Sequence, residues 1–169
     1  MAPGESPVLI GMPGSGKSTV GRCLAQRTGR AFVDTDTLVE ARFGCSLQAL
    51  KDRAGAAGVR AAEAAEARAL RCRDTVIATG GSMVYTPEAM EALRGLGRIV
   101  WLEVPLEQLE ARVGTGETRG LARHPGQTLA DLVAERTPLY QRYADIQVAC
   151  GTLDAESVAR LVEQRLGKR

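Results

Sequence analysis

The stretch Gly11-Met12-Pro13-Gly14-Ser15-Gly16-Lys17-Ser18 follows the spacing G-x-x-x-x-G-K-[ST], and each residue type in it answers a need of phosphate chemistry. Glycines at 11, 14 and 16 let successive backbone N–H groups turn inward around anionic oxygens. Lys17 supplies a point charge for the outer phosphates and Ser18 a hydroxyl for Mg²⁺, while a helix starting here adds its positive N-terminal end. The implied ligand is a nucleoside triphosphate with its metal. Two carboxylates follow at Asp34 and Asp36, spaced i and i+2 just beyond an apolar run. At the carboxyl end of a strand they fall on the edge where open parallel sheets bind ligands. The competing reading is that Asp36 only caps the next helix.

Three further groups of residues could serve such a site. Gly80-Gly81-Ser82 either lets a ligand approach the backbone or makes a tight turn. Arg60 and Glu63 lie one turn apart on an alanine-rich stretch, where an arginine is by default a solvated surface residue. Residues 114–126 carry four glycines, Arg119 and Arg123, which reads as a lid between two helices. His124 within it has no assignable role.

Positioning these residues requires alternating strands and helices. Residues 7–10 read as a buried strand and Lys17–Thr28 as a helix ended by Gly29. Residues 31–33 give a second strand, and residues 37–73 are helical in character, broken at Gly44, Gly55 and Gly58. The β-branched run 75–79 reads as a central strand, 87–94 as a helix with proline at its start, 99–102 as a strand and 105–113 as a helix. Thr128 caps a helix over 128–143 that Pro138 kinks or divides. A strand at 146–149 and a helix over 154–166 complete an α/β pattern, read as one domain over 1–169.

A net charge of +2, from 22 basic and 20 acidic residues mixed along the chain, gives no field for nucleic acid or a membrane surface. An anionic ligand must then be held locally. Lysine occurs only at 17, 51 and 168, so the basic chemistry is that of arginine, which suits planar carboxylates and phosphates. Cys23, Cys45, Cys72 and Cys150 form no C-x-x-C pair, which points to buried reduced thiols rather than zinc. With no signal peptide or long apolar run, the cytoplasm is the expected compartment; as a separate expectation, the chain is taken as a monomer.

Taken together, these motifs resemble the shikimate kinases from end to end. The matching residues are the loop Gly11 to Ser18 continuing into Thr19 and Gly21, Asp34-x-Asp36, Gly44-x-Ser46, Arg60-x-x-Glu63, Ala78-Thr79-Gly80-Gly81, Arg112 seven residues before Arg119, and Arg136-x-x-Leu139-Tyr140. The resemblance implies a P-loop NTPase fold, a three-layer αβα arrangement of a five-stranded parallel sheet with a substrate region at about 37–73 and a lid at about 114–126. It implies transfer of the ATP γ-phosphate to the 3-hydroxyl of shikimate, in the aromatic amino-acid pathway. Gly14, Ser15, Gly16, Lys17, Ser18 and Thr19 would then cradle the phosphates, with Ser18 and Asp34 serving Mg²⁺ and its water shell. Arg112 would cover one face of adenine and Arg119 the transferring phosphoryl. Asp36 would meet the ring hydroxyls, Arg60 and Arg136 the substrate carboxylate, and Gly80 and Gly81 the substrate through backbone N–H groups.

Departures from the family pattern cluster on the acceptor side. Lys51 and Val59 stand where phenylalanines are usual, Ala56 where a glutamate follows Gly55, Ser82 where a third glycine follows Gly81, and Gly120 and Ala122 in the lid. The alternatives are a related kinase acting on gluconate or a nucleoside monophosphate, and a nucleotide-binding regulatory protein without catalysis. Paired arginines favour a carboxylated acceptor, and intact Lys17, Ser18, Asp36 and Arg119 favour catalysis.

Overall fold

The short apolar runs pair as one sheet in the computed structural model, which describes residues 3–112 and 126–167. Its strands are β1 (Val8–Ile10), β2 (Ala31–Asp34), β3 (Thr75–Ala78), β4 (Ile99–Glu103) and β5 (Ile146–Ala149). They are all parallel and lie in the order β2-β3-β1-β4-β5. Every residue of β1 and β3 is buried, as expected of strands covered on both faces.

Among the described residues the helices are α1 (Lys17–Thr28), α2 (Thr35–Phe43), α3 (Leu47–Ala69), α4 (Pro87–Arg94), α5 (Leu106–Arg112), α6 (Leu129–Tyr143) and α7 (Ala155–Gly167), with a 3-10 turn at Met83–Tyr85. Right-handed crossovers place α1 on one face, because the chain there moves from β1 toward β2. Later crossovers run the other way and fall on the opposite face. The final helix α7 packs back onto α1. The connection leaving β1 runs one way and those leaving its two neighbours, β3 and β4, run the other, so the carboxyl end of β1 is a topological switch point where a crevice opens.

Local signals account for the helix boundaries. Gly16 and Gly29 bracket α1, both in the left-handed region. The Asp34 side chain caps α2 by accepting from the Asp36 N–H at 3.0 Å, so the capping carboxylate is Asp34 and not Asp36. Ser46 caps α3, and Thr128 with Asp131 forms a reciprocal capping box on α6. Two expected breaks do not occur. Gly58 is helical within α3, which kinks only at Gly55 (φ 67°, ψ 179°), and α6 runs through Pro138 as one helix.

The main core gathers Leu9, Ile10, Ile77, Ile99 and Leu102 between the helical layers. A smaller apolar cluster of Val39, Leu50, Val59 and Ala62 holds α2 against α3, so Val59 contributes to a wall there. All four cysteines are free, but only Cys150 is buried, the others being half-buried. Among the described residues no helix is long and apolar enough to cross a membrane. The lid reading, with Arg119, Arg123 and His124, lies outside the described residues apart from Gly126.

Candidate active site

The loop between β1 and α1 takes the shape that its glycines permit. Gly11, Gly14 and Gly16 have φ of 150°, 78° and 85°, conformations that L side chains rarely adopt. A Cβ on Gly11 would also lie 2.7 Å from the Leu102 carbonyl oxygen. Lys17 is buried at the mouth of this loop, where its Nζ donates to the carbonyls of Gly11 and Met12 at 2.9 and 2.8 Å and to Ser15 Oγ at 3.4 Å. Burial pulls its pKa down to about 8, with the Asp36 and Asp34 charges opposing the shift.

Beside the loop, Ser18 Oγ donates to Asp34 Oδ2 at 2.6 Å. This hydroxyl and carboxylate bring together hard oxygen donors from α1 and β2. Among the described residues no cluster of three or more His, Cys, Asp or Glu could hold a metal alone. Two protein oxygens beside a phosphate loop match the demands of Mg²⁺, which takes its remaining ligands from phosphate and water. On the other side of the loop a cleft of about 330 Å³ is lined by Gly14, Gly16, Thr19, Arg112, Cys150 and Asp154. Arg112 Nη1 donates to the Gly14 carbonyl at 2.9 Å, fixing the end of α5 against the loop. The Cys150 thiol is pushed up by burial to about 11 and stays protonated.

A second group of residues converges beyond β2 and β3. Asp36, in the first turn of α2, has a buried Oδ1 without a hydrogen-bond partner. Burial and then the Asp34 charge raise its pKa to about 6, against the pull of Lys17. Gly80 makes room for it, since a Cβ there would stand 2.6 Å from Asp36 Oδ1 and closer still to Glu63 Oε1. The Gly80 N–H already donates to Thr35 Oγ1 at 3.3 Å, so this glycine offers clearance rather than a free donor. Gly81 is wedged between Pro13 and Arg136, with Arg136 Nη1 3.1 Å from the position of an added Cβ.

Arg136 is only 1% exposed, far from the solvated state that is the default for an arginine. One turn further along α6, Tyr140 stacks on Trp101 with ring centroids 5.9 Å apart and donates its hydroxyl hydrogen to the Gly81 carbonyl at 2.9 Å. These contacts tie the helix to β4 and to the glycine pair, and so fix Arg136. Its Nε donates to the Tyr85 hydroxyl at 3.1 Å, and its guanidinium lies 5.2 Å from the Tyr85 ring centroid. Arg60 approaches the same ring at 5.8 Å. The two arginines therefore share one aromatic ring, and among the described residues neither forms an ion pair.

Sequence reasoning did not find Tyr85, the platform beneath both arginines, nor Thr35, nor the link between Ser82 and Glu63. The only signal for Tyr85 was an aromatic residue between the glycine pair and Pro87. Lys17, Ser18, Asp34 and Asp36 are brought together as expected, Arg112 joins the loop, and Arg60 joins Arg136.

A phosphate-binding loop at the switch point of a parallel sheet ordered 2-3-1-4-5 defines a P-loop α/β protein of the kinase type. A family model described as shikimate kinase matches residues 13–166. The shikimate kinase of Halorhodospira halophila is 42% identical over 161 residues, covering 94% of this chain and 91% of that protein. That of Moorella thermoacetica is 40% identical over 162 residues, covering 94% and 92%. The structure of shikimate kinase from Acinetobacter baumannii in complex with shikimate superimposes with a TM-score of 0.88 at 32% identity, covering 95% of this chain and 92% of that one. The chain belongs to the shikimate kinase family. A gluconokinase from Sinorhizobium meliloti, 18% identical with a TM-score of 0.55, shares the fold alone.

Proposed function

We propose that this chain transfers the γ-phosphoryl group of ATP to the 3-hydroxyl of shikimate. The observation that carries this reading is the buried, unpartnered Oδ1 of Asp36 beside Gly80, together with the Arg136 guanidinium beside the adjoining Gly81, which shares the Tyr85 ring with Arg60. A buried carboxylate oxygen without a donor costs free energy that a substrate hydroxyl would recover. Two convergent arginines call for a carboxylate. An acceptor with a hydroxyl at one end and a carboxylate at the other satisfies both.

In this reading the loop residues Gly14 to Thr19 cradle the phosphates, and Lys17 exchanges the loop carbonyls for phosphate oxygens. Ser18 and Asp34 would hold Mg²⁺, which supplies charge neutralisation on the phosphates. Arg112 covers the base, and Arg119 is assigned to the transferring phosphoryl. Asp36 accepts the hydrogen of the attacking hydroxyl and orients it, Arg60 and Arg136 fix the carboxylate, and Gly81 offers the backbone donor near the ring. Catalysis of this kind is positioning together with electrostatic stabilisation.

The test is a coupled ADP-release assay with Mg²⁺ and ATP across shikimate, gluconate, AMP and CMP. Shikimate should exceed the others in kcat/KM by roughly a hundredfold or more, because AMP and CMP bring no carboxylate to the arginines and flexible, open-chain gluconate must be ordered to present its carboxylate and a hydroxyl together. Equal or better turnover of gluconate or a nucleotide would overturn the reading.

A further inference from the structure

Ser82 and Glu63 are 19 residues apart, yet Ser82 Oγ donates to Glu63 Oε2 at 2.5 Å and both side chains are buried. The contact is a charge-assisted hydrogen bond of the short kind. Its donor is rigidly placed, since Ser82 opens the 3-10 turn and its carbonyl accepts from the Tyr85 N–H at 3.1 Å. With Oε2 held, Oε1 faces the bare side of Gly80 and crowds the same point as the unpartnered Asp36 Oδ1.

Glu63 also has strong alternatives. Arg60 lies one turn away on α3, and Arg136 with Tyr140 faces it from α6, Lys17 from α1 and Asp36 from α2. Both arginines attract its charge, but among the described residues neither forms an ion pair with it. A Glu63 that swung onto them would occupy the donors that a substrate carboxylate needs.

We propose that Ser82 is a positioning residue for the acceptor, whose hydroxyl holds Glu63 off Arg60 and Arg136 and turns its free oxygen toward the acceptor hydroxyls beside Asp36. The inference rests on the shikimate reading above and adds a residue to it. Burial raises the Glu63 pKa to about 7, and the Ser82 hydrogen bond is the largest effect opposing that rise, which agrees with a contact made to the charged form.

The test uses the full chain with steady-state kinetics in both substrates. Ser82→Ala and Ser82→Gly should each raise the shikimate KM about tenfold while leaving the ATP KM unchanged, because the loss is confined to acceptor binding. In a Glu63→Gln background the same substitutions should add nothing, since the partner charge they control is gone. Thermal melting of each variant separates this effect from loss of fold. An unchanged shikimate KM in Ser82→Ala, or an equal loss with and without Glu63, overturns the inference. If the parent enzyme phosphorylates shikimate and Ser82→Ala is silent, this inference alone falls. If the parent enzyme does not phosphorylate shikimate, the functional reading falls and takes the inference with it.

Discussion

Asp36 combines three properties that suit it to receive a hydroxyl. It is half-buried with its Oδ1 shut away from solvent, that oxygen has no partner, and its pKa is raised to about 6 by burial and by Asp34. At neutral pH it remains largely ionised and able to accept a hydrogen bond. Asp36→Asn keeps the shape but removes the charge and offers an N–H₂ group in place of one oxygen. We expect kcat to fall by about 10²–10⁴, with acceptor KM changing by only a few fold. Single-turnover kinetics at saturating shikimate would check this, and near-normal kcat would exclude Asp36 from the chemical step. The arginines should behave in the opposite sense. Arg136→Met or Arg60→Met removes a charge-assisted contact worth roughly 1.5–3 kcal/mol, so shikimate KM should rise about tenfold or more while ATP KM stays nearly constant. Shikimate amidated at its carboxyl group should be a poor substrate of the parent enzyme and lose little further in Arg60→Met.

The elements hold these residues in place through close backbone approaches, and two glycines separate site from scaffold. A methyl group on Gly80 would push into Asp36 Oδ1 and Glu63 Oε1, whereas one on Gly97 would meet the Ser6 backbone, with its carbonyl carbon at 2.7 Å. Gly80→Ala should therefore lose turnover by at least about tenfold, because it displaces both carboxylates from productive geometry. Gly97→Ala should leave kcat intact at low temperature but cost about 1–3 kcal/mol of stability, because backbone must move on both sides. Melting curves alongside kcat would distinguish the two, and a Gly97→Ala enzyme with lost kcat but unchanged melting would contradict the division.

Most elements could be read from the chain, since their signals are local. Gly29 after α1, Thr128 before α6 and Pro87 opening α4 act within one turn of themselves. The phosphate loop was legible for the same reason. What could not be read is where side chains from different elements meet. Tyr85 has no periodic context, and its role arises because α3, α6 and the 3-10 turn converge on its ring. The Ser82 to Glu63 contact spans 19 residues and two elements, which no spacing rule reports. Gly55 and Gly58 offered equal reasons for a break, and of the two the chain leaves helical geometry at Gly55 alone.

At the scale of the whole molecule, a site built from buried charges costs stability, and the cost depends on pH. Glu63 is 4% exposed and its folded pKa is raised to about 7 from an ordinary 4.5, chiefly by burial. The folded state therefore holds the Glu63 proton more tightly than the unfolded chain does. Below pH 4.5 the group is protonated in both states and imposes no penalty. As pH rises through the window from 4.5 to about 7, the unfolded chain releases its proton first and stability falls. Above that window the folded protein carries a buried carboxylate at a cost on the order of 3 kcal/mol. Glu63→Gln removes this titration while keeping a polar side chain of the same shape for Ser82. Asp36 titrates over a lower range in both proteins, so its contribution largely cancels in the comparison. Ligand-free Glu63→Gln should thus melt close to the parent protein at pH 4.5 and several degrees above it at pH 8. Thermal melts at the two pH values check this directly. A difference in melting temperature that stays constant across the window would show that the Glu63 carboxylate is not held in a desolvated state by the fold.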